Sequence, residues 1–201
     1  MRRIFFLPLL LIWGCAADSC EGGKECEAFD KSRDIAHWHL FPDLDSVYTF
    51  SSDTSEIVLT MERSRLSEAE TLECGFKSSC DCRRYYIGYY ENESHNIKSN
   101  IIYDEDGDPI YRPPIFYEFD DIFAYWEVTQ SGDMMRVADD TTSTIPFIEF
   151  ENLDNITIDD QEFQNVLHLT MPEQSSISDY WVVQYLGLIA LEKDSVLYTK
   201  E

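Results

Sequence analysis

Tyr180-Trp181-Val182-Val183-Gln184-Tyr185-Leu186-Gly187-Leu188-Ile189, followed after a charged turn by Ser195-Val196-Leu197-Tyr198-Thr199-Lys200, decides how the rest of this chain is read. β-Branched and aromatic side chains fill both runs, as a pleated, half-buried surface prefers. Gln184 interrupts the longest apolar stretch, 181–191, which is far short of the roughly 20 residues a membrane-spanning helix needs. Working backward, similar runs recur at 46–50, 56–61, 85–90, 96–103, 110–119, 122–129, 134–137, 145–150, 155–158 and 165–170. Polar turn residues separate them at regular intervals. Such spacing predicts an all-β chain built as an antiparallel up-and-down β-barrel, with a β-sandwich as the alternative. One short helix is predicted over 63–72, around Ser67-Glu68-Ala69-Glu70, with a long loop as the other reading. Pro113-Pro114 predicts that the 110–119 strand is bulged or lies at an edge.

The 201 residues carry 39 acidic and 15 basic side chains, a formal net charge of −24. Apolar residues make up 44% and aromatics 14%, enough for a packed core, so the acidity is not that of a disordered tail. A surface of this sign repels phosphate backbones and anionic membrane faces, which excludes unaided nucleic-acid binding and predicts no membrane insertion.

Met1-Arg2-Arg3, an apolar stretch at 4–13 and Gly14-Cys15-Ala16-Ala17 have the three-part layout of a secretory signal, predicted to span 1–17. The alternatives are an N-terminal anchor, for which the apolar stretch is too short, and a lipoprotein box at Cys15, where Trp13 replaces a small residue. A secreted, extracellular chain is therefore expected, with a cysteine-containing arm over 18–36 and a single β-rich domain over 37–201. Two sequons, Asn92-Glu93-Ser94 and Asn155-Ile156-Thr157, are expected to be glycosylated. Cys20, Cys26, Cys74, Cys80 and Cys82 are expected to form disulfides that tie the arm to the domain, in a connectivity that sequence does not define. Five is odd, so a free thiol, a disulfide-linked dimer or retention of Cys15 follows. Zinc held by Cys74, Cys80 and Cys82 with His37 or His39 is the competing reading, but Cys-x-Cys is not a usual zinc spacing. His37 and His39 are expected on one face of a strand.

Asp104-Glu105-Asp106-Gly107-Asp108 reads as a hairpin turn, with weak calcium binding as the alternative. Pro109 stands where an EF-hand loop needs glycine and Arg112 where it needs a ligand, which argues against that form. There is no Gly-x-Ser-x-Gly, no His-Glu-x-x-His and no phosphate-cradling glycine loop. His37, His39, His95 and His168 have no partner legible in the sequence. A non-enzyme that requires no cofactor is expected.

Ser178-Asp179-Tyr180 with the strand that follows resembles the Thr-Asp-Tyr motif of the lipocalins. The run from Ser195 to Lys200 resembles the last barrel strand of that family, whose basic residue packs across a tryptophan of the first strand. Lys200 and Trp38, in Ala36-His37-Trp38, stand in those two places, with alanine for the family's glycine. The resemblance implies an eight-stranded barrel with one open mouth and a cation-over-indole contact closing its bottom. It also implies a carrier of a small hydrophobic or amphipathic ligand. Tyr125, Trp126, Phe147, Phe150, Tyr180 and Trp181 are the candidate lining, each with core packing as its other role. The second functional expectation is an acidic β-sandwich module that captures a basic partner, such as a chemokine-like protein, a cationic peptide or a receptor.

Overall fold

The computed structural model describes residues 33–66, 70–71, 82–104, 115–137 and 148–201. One 3-10 turn, Asp34–Trp38, precedes thirteen strands: β1 (Val47–Ser51), β2 (Glu56–Leu66), β3 (Glu70–Thr71), β4 (Cys82–Glu91), β5 (Asn96–Asp104), β6 (Ile115–Phe119), β7 (Ile122–Val128), β8 (Met134–Val137), β9 (Glu149–Ile158), β10 (Gln161–Thr170), β11 (Ile177–Val183), β12 (Gly187–Lys193) and β13 (Val196–Lys200). All pairings are antiparallel, in the order β8-β7-β6-β5-β4-β2-β1-β13-β12-β11-β10-β9, with β3 paired to β4. The expected up-and-down arrangement is the observed one: strands pair with their sequence neighbours except at β3, which lies off the path beside β4, and between β8 and β9. β1 and β13 close most of the circle through Phe50↔Lys200 and Ser51↔Thr199.

The barrel is nearly closed rather than closed. β8 and β9, the ends of the path, share no ladder. Instead the Asn152 carboxamide bridges them: Met134 N–H donates to Asn152 Oδ1 at 3.0 Å, and Asn152 Nδ2 donates to Met134 O at 2.8 Å. Trp126 of β7 meets Phe150 of β9 edge to face across the same seam, with ring centroids 5.1 Å apart.

Aspartates turn the chain. Asp120-Asp121, Asp159-Asp160 and Asp194-Ser195 form two-residue hairpin loops with positive φ at both positions. That is the conformation whose twist matches the flanking strands, and Asp tolerates it.

The eight strands implied by the resemblance are exceeded, and a barrel widens with strand number. Here the extra width is occupied by the chain's own N-terminal segment. Trp38, His39, Leu40 and Phe41 are almost fully buried within a single core cluster that includes Tyr48, Tyr86, Tyr90, Tyr117, Trp126 and Tyr180. Backbone polar groups drawn into a core must find partners. Tyr117 and Tyr86 hydroxyls donate to the carbonyls of Trp38 and Pro42, Tyr90 donates to Asp45 O at 2.8 Å, and Leu40 N–H donates to Ser99 Oγ at 3.1 Å.

Three sequence expectations change at the element level. The 180–189 run is two strands, β11 and β12, split by a turn at Gln184-Tyr185-Leu186. Tyr185 N–H there donates to His37 O at 2.7 Å, and Leu188 N–H to Leu40 O at 2.8 Å. The described end of the 145–150 run, from Glu149, and the 155–158 run belong to one strand, β9; residues 145–147 lie outside the described residues. Over 63–66 there is strand instead of helix, since β4 supplies a ladder through Arg63↔Tyr89 and Leu66↔Tyr86 and no apolar stripe supports a helix. Pro113 and Pro114 lie outside the described residues. β6 begins just after them and is flanked by β5 and β7, so it is not an edge strand.

The β9–β10 hairpin makes a second layer. Asn165 has a φ of 53° and forms no register pair, and beyond this break Asp159 Oδ2 accepts a bond from Thr199 Oγ1 at 2.8 Å. A hairpin tip that contacts β13 must cross β11 and β12. It covers a small second core of Ile158, Val166, Val183, Ile189 and Ala190. β12 is accordingly buried over Gly187 to Leu191 without the alternation of a one-sided strand.

Candidate functional site

Five segments meet at one end of the barrel and leave a cleft of about 360 Å3 between them. They are the 3-10 turn, the β7–β8 turn, the middle of β9, the break in β10 and the β11–β12 turn. The Trp38 indole lies at its inner wall, 2% exposed, with Leu153 and Val166 beside it. Asp34, Asp133 and Asp154 place three carboxylates on the lining. Gln130, Asn152, Asn165 and Gln184 add four carboxamides, and Thr129 and Ser131 add hydroxyls. Among the described residues no lysine, arginine or histidine lines the cleft.

The β7–β8 turn forms a fixed wall because its polar groups satisfy one another. Thr129 N–H donates to Asp133 O at 2.9 Å, Gly132 N–H to Thr129 O at 3.0 Å, and Ser131 Oγ to Asp133 Oδ2 at 2.6 Å. Gly132 has a φ of 94°, and its carbonyl accepts the Trp38 indole N–H at 3.2 Å. The turn thereby holds the indole, and the indole holds the turn. Asp34 and Asp154 project into solvent at the rim, and His37 Nδ1 sits 4.0 Å from Asp34 Oδ1 behind it. Chemically the cleft combines an apolar floor, many hydrogen-bonding groups and a rim rich in carboxylates, with His37 behind Asp34. That set suits an amphipathic molecule with a positive charge.

The six aromatic candidates do not gather around one cavity, although Trp126 meets Phe150 at the seam. Trp126 and Tyr180 are fully buried, Tyr180 stacked on Phe119 at 4.2 Å. Tyr125 alternates to the other face and packs beside Phe116 and Phe123, and Trp181 stacks on His168 at 5.0 Å. Phe150 is 38% exposed at the seam, and Phe147 lies outside the described residues.

The barrel-closing pair is also different. Trp38 belongs to the 3-10 turn and not to the first strand, so it bonds Gly132 and is not met by Lys200. Lys200 Nζ sits over the Tyr48 ring at 4.4 Å instead. The contact type matches the expectation, and its aromatic partner does not. Burial lowers the Lys200 pKa, opposed by the nearby carboxylates Asp43 and Asp45.

His37 and His39 flank Trp38 and do not share a strand face. His39 is buried, stacked on Tyr86 at 3.8 Å, with Nε2 3.1 Å from Tyr86 O and Nδ1 accepting from Phe41 N–H. Partners that the sequence hid exist for the other two histidines. His168 Nε2 lies 2.7 Å from Asp179 Oδ1. His95, 3% exposed, joins three loops: Nδ1 lies 3.1 Å from Asp120 and 3.4 Å from Ser176, and Nε2 lies 3.0 Å from Lys193 Nζ. An ammonium only donates, so Nε2 accepts and the ring proton sits on Nδ1 toward Asp120. Register explains the first pair, since Thr170↔Asp179 and His168↔Trp181 are neighbours on adjacent strands. No local signal marks the second.

Asn92 sits in the β4–β5 turn, where its Oδ1 accepts from the N–H groups of Ser94 and His95, both at 2.8 Å. Asn155 and Thr157 are exposed on one face of β9. Cys20, Cys26, Cys74 and Cys80 lie outside the described residues, as does the side chain of Cys82 at the start of β4. The 105–108 part of the acidic loop lies outside them as well. Among the described residues no group of His, Cys, Asp and Glu side chains is arranged to hold a metal, and no helix is long and apolar enough to cross a membrane.

Fold and cleft together define an antiparallel β-barrel with a side-chain-filled interior and a polar recess at one end. No protein-family model matches the chain, and searches of curated proteins and of solved structures return no match.

Proposed function

We propose that this is a secreted, lipocalin-like binding protein whose ligand is a small amphipathic cation held in the cleft at the barrel end. The observation that carries the reading is the lining: among the described residues it holds three carboxylates and no basic side chain, with the Trp38 indole, Leu153 and Val166 as an apolar floor. The barrel interior is filled by core side chains and the segment around Trp38 to Phe41, so the cleft takes the role that an open barrel would give its cavity. A lining with three carboxylates favours a cation over a neutral or anionic isostere.

Isothermal titration with phenethylamine, 2-phenylethanol and phenylacetate tests this on one carbon skeleton. The amine is expected to bind, the alcohol at least tenfold more weakly, and the acid not at all. Asp154→Asn is expected to weaken the amine about five- to tenfold, as for a partly solvated charge pair worth roughly 1 kcal/mol. Equal affinity for amine and acid, or no binding of the amine, overturns the proposal.

A further inference from the structure

Asp154 belongs to two features at once. It lines the cleft, and it lies on β9, whose second edge pairs with no strand among the described residues. The side chain of Asn152 bridges β9 to β8, and beyond that bridge β9 continues to Ile158 with no strand paired to its second edge among the described residues. In an antiparallel strand every second residue directs its N–H and C=O away from its one neighbour. β9 therefore offers a row of free backbone donors and acceptors that runs directly out of the cleft.

The charge along this row is of one sign. Glu149, Glu151, Asp154, Asp159, Asp160 and Glu162 are all exposed, and residues 149–170 contain no lysine or arginine. Such a strand repels a second copy of itself, which is how acidic edges resist self-pairing. It attracts an extended segment of opposite charge, for which backbone bonds supply affinity and alternate side chains supply specificity.

We infer that the cation in the cleft is the side chain of a lysine or arginine carried by an extended basic polypeptide that adds to the free edge of β9. The inference rests on the proposed cleft function and names its ligand class: the peptide pairs with β9, and one basic side chain reaches past Asp154 over the Trp38 floor. The remaining basic residues face the acidic side chains of the β9–β10 hairpin.

The test uses the full chain carrying Asn155→Gln, so that no glycan stands over the strand. Three probes are titrated beside phenethylamine: lysine amide, an end-capped ten-residue peptide alternating lysine and valine, and the same peptide fully N-methylated. The alternating peptide is expected to bind at least tenfold more tightly than lysine amide, and N-methylation is expected to abolish that gain by removing the backbone donors. If phenethylamine binds but the peptide gains nothing over lysine amide, strand addition is wrong and the cleft reading stands. Equal binding of the two peptides shows attraction by charge alone and also overturns strand addition. If neither phenethylamine nor any peptide binds, both readings fall.

Discussion

Gly187 is the residue on which the buried N-terminal segment depends most directly. Its φ is 75°, and a Cβ there would stand 2.3 Å from Leu40 O and 2.6 Å from Pro42 Cδ. The neighbouring Leu188 N–H donates to that same Leu40 carbonyl, so β12 and the segment lie backbone against backbone. Gly187→Ala meets both a left-handed φ and a hard contact with main chain, which does not yield as a flexible side chain would. A loss of more than about 2 kcal/mol is expected, read as a lower urea midpoint with unchanged slope. Lys200 gives the opposite lesson in legibility. A basic residue closing the last strand was readable, but its aromatic partner was set by the Phe50↔Lys200 register, which brings Tyr48 within reach and leaves Trp38 elsewhere.

Among the elements, the hairpins were the easiest to anticipate and the seam the hardest. Strand periodicity and the aspartate turns are local, and strands at 47–51, 96–104, 122–128, 134–137 and 196–200 fall almost where side-chain alternation puts them. The β8–β9 seam depends on a single carboxamide whose two bonds imitate a ladder pair. Asn152→Ala removes both and leaves the Met134 N–H and C=O without those partners. The expected loss is about 1–2 kcal/mol, accompanied by faster amide exchange in β8 while β4 and β5 stay protected. Hydrogen-exchange mass spectrometry checks this, and unchanged exchange in β8 would show that Trp126 and Phe150 suffice to hold the seam.

For the whole molecule, acidity and tyrosine burial set the response to pH. Tyr48, Tyr86, Tyr90, Tyr117 and Tyr180 are each at most 2% exposed, and burial raises the pKa of every one, that of Tyr48 to about 12. Above pH 10 the unfolded chain releases phenolic protons that the folded chain retains. Their contribution to stability is therefore complete below pH 10 and is lost as pH rises above it, through about 12 for Tyr48 and at higher pH for the other four. Tyr48 alone accounts for roughly 2–3 kcal/mol between pH 10 and 12. Lys200, with a lowered pKa, acts in the opposite sense just below 10.5, but it is one group against five. The part of the tyrosinate absorbance at 295 nm that belongs to these five rings is expected to appear in a cooperative step that coincides with loss of near-ultraviolet circular dichroism. Titration of all the tyrosines near pH 10 in a folded chain would contradict it.

By itself the sequence determined the all-β class, the antiparallel order and the positions of most strands, because alternation and turn chemistry act between residues close in the chain. It also set the acidity on which the proposed cationic partner rests. Only the tertiary structure decided what fills the barrel and where a ligand would sit. The segment around Trp38 to Phe41 is buried because Tyr86, Tyr117 and Ser99, remote in sequence, satisfy its backbone. The cleft likewise draws on five separated segments, so its carboxylates could not be told from the other acids of the chain until folding brought Asp34, Asp133 and Asp154 around one indole.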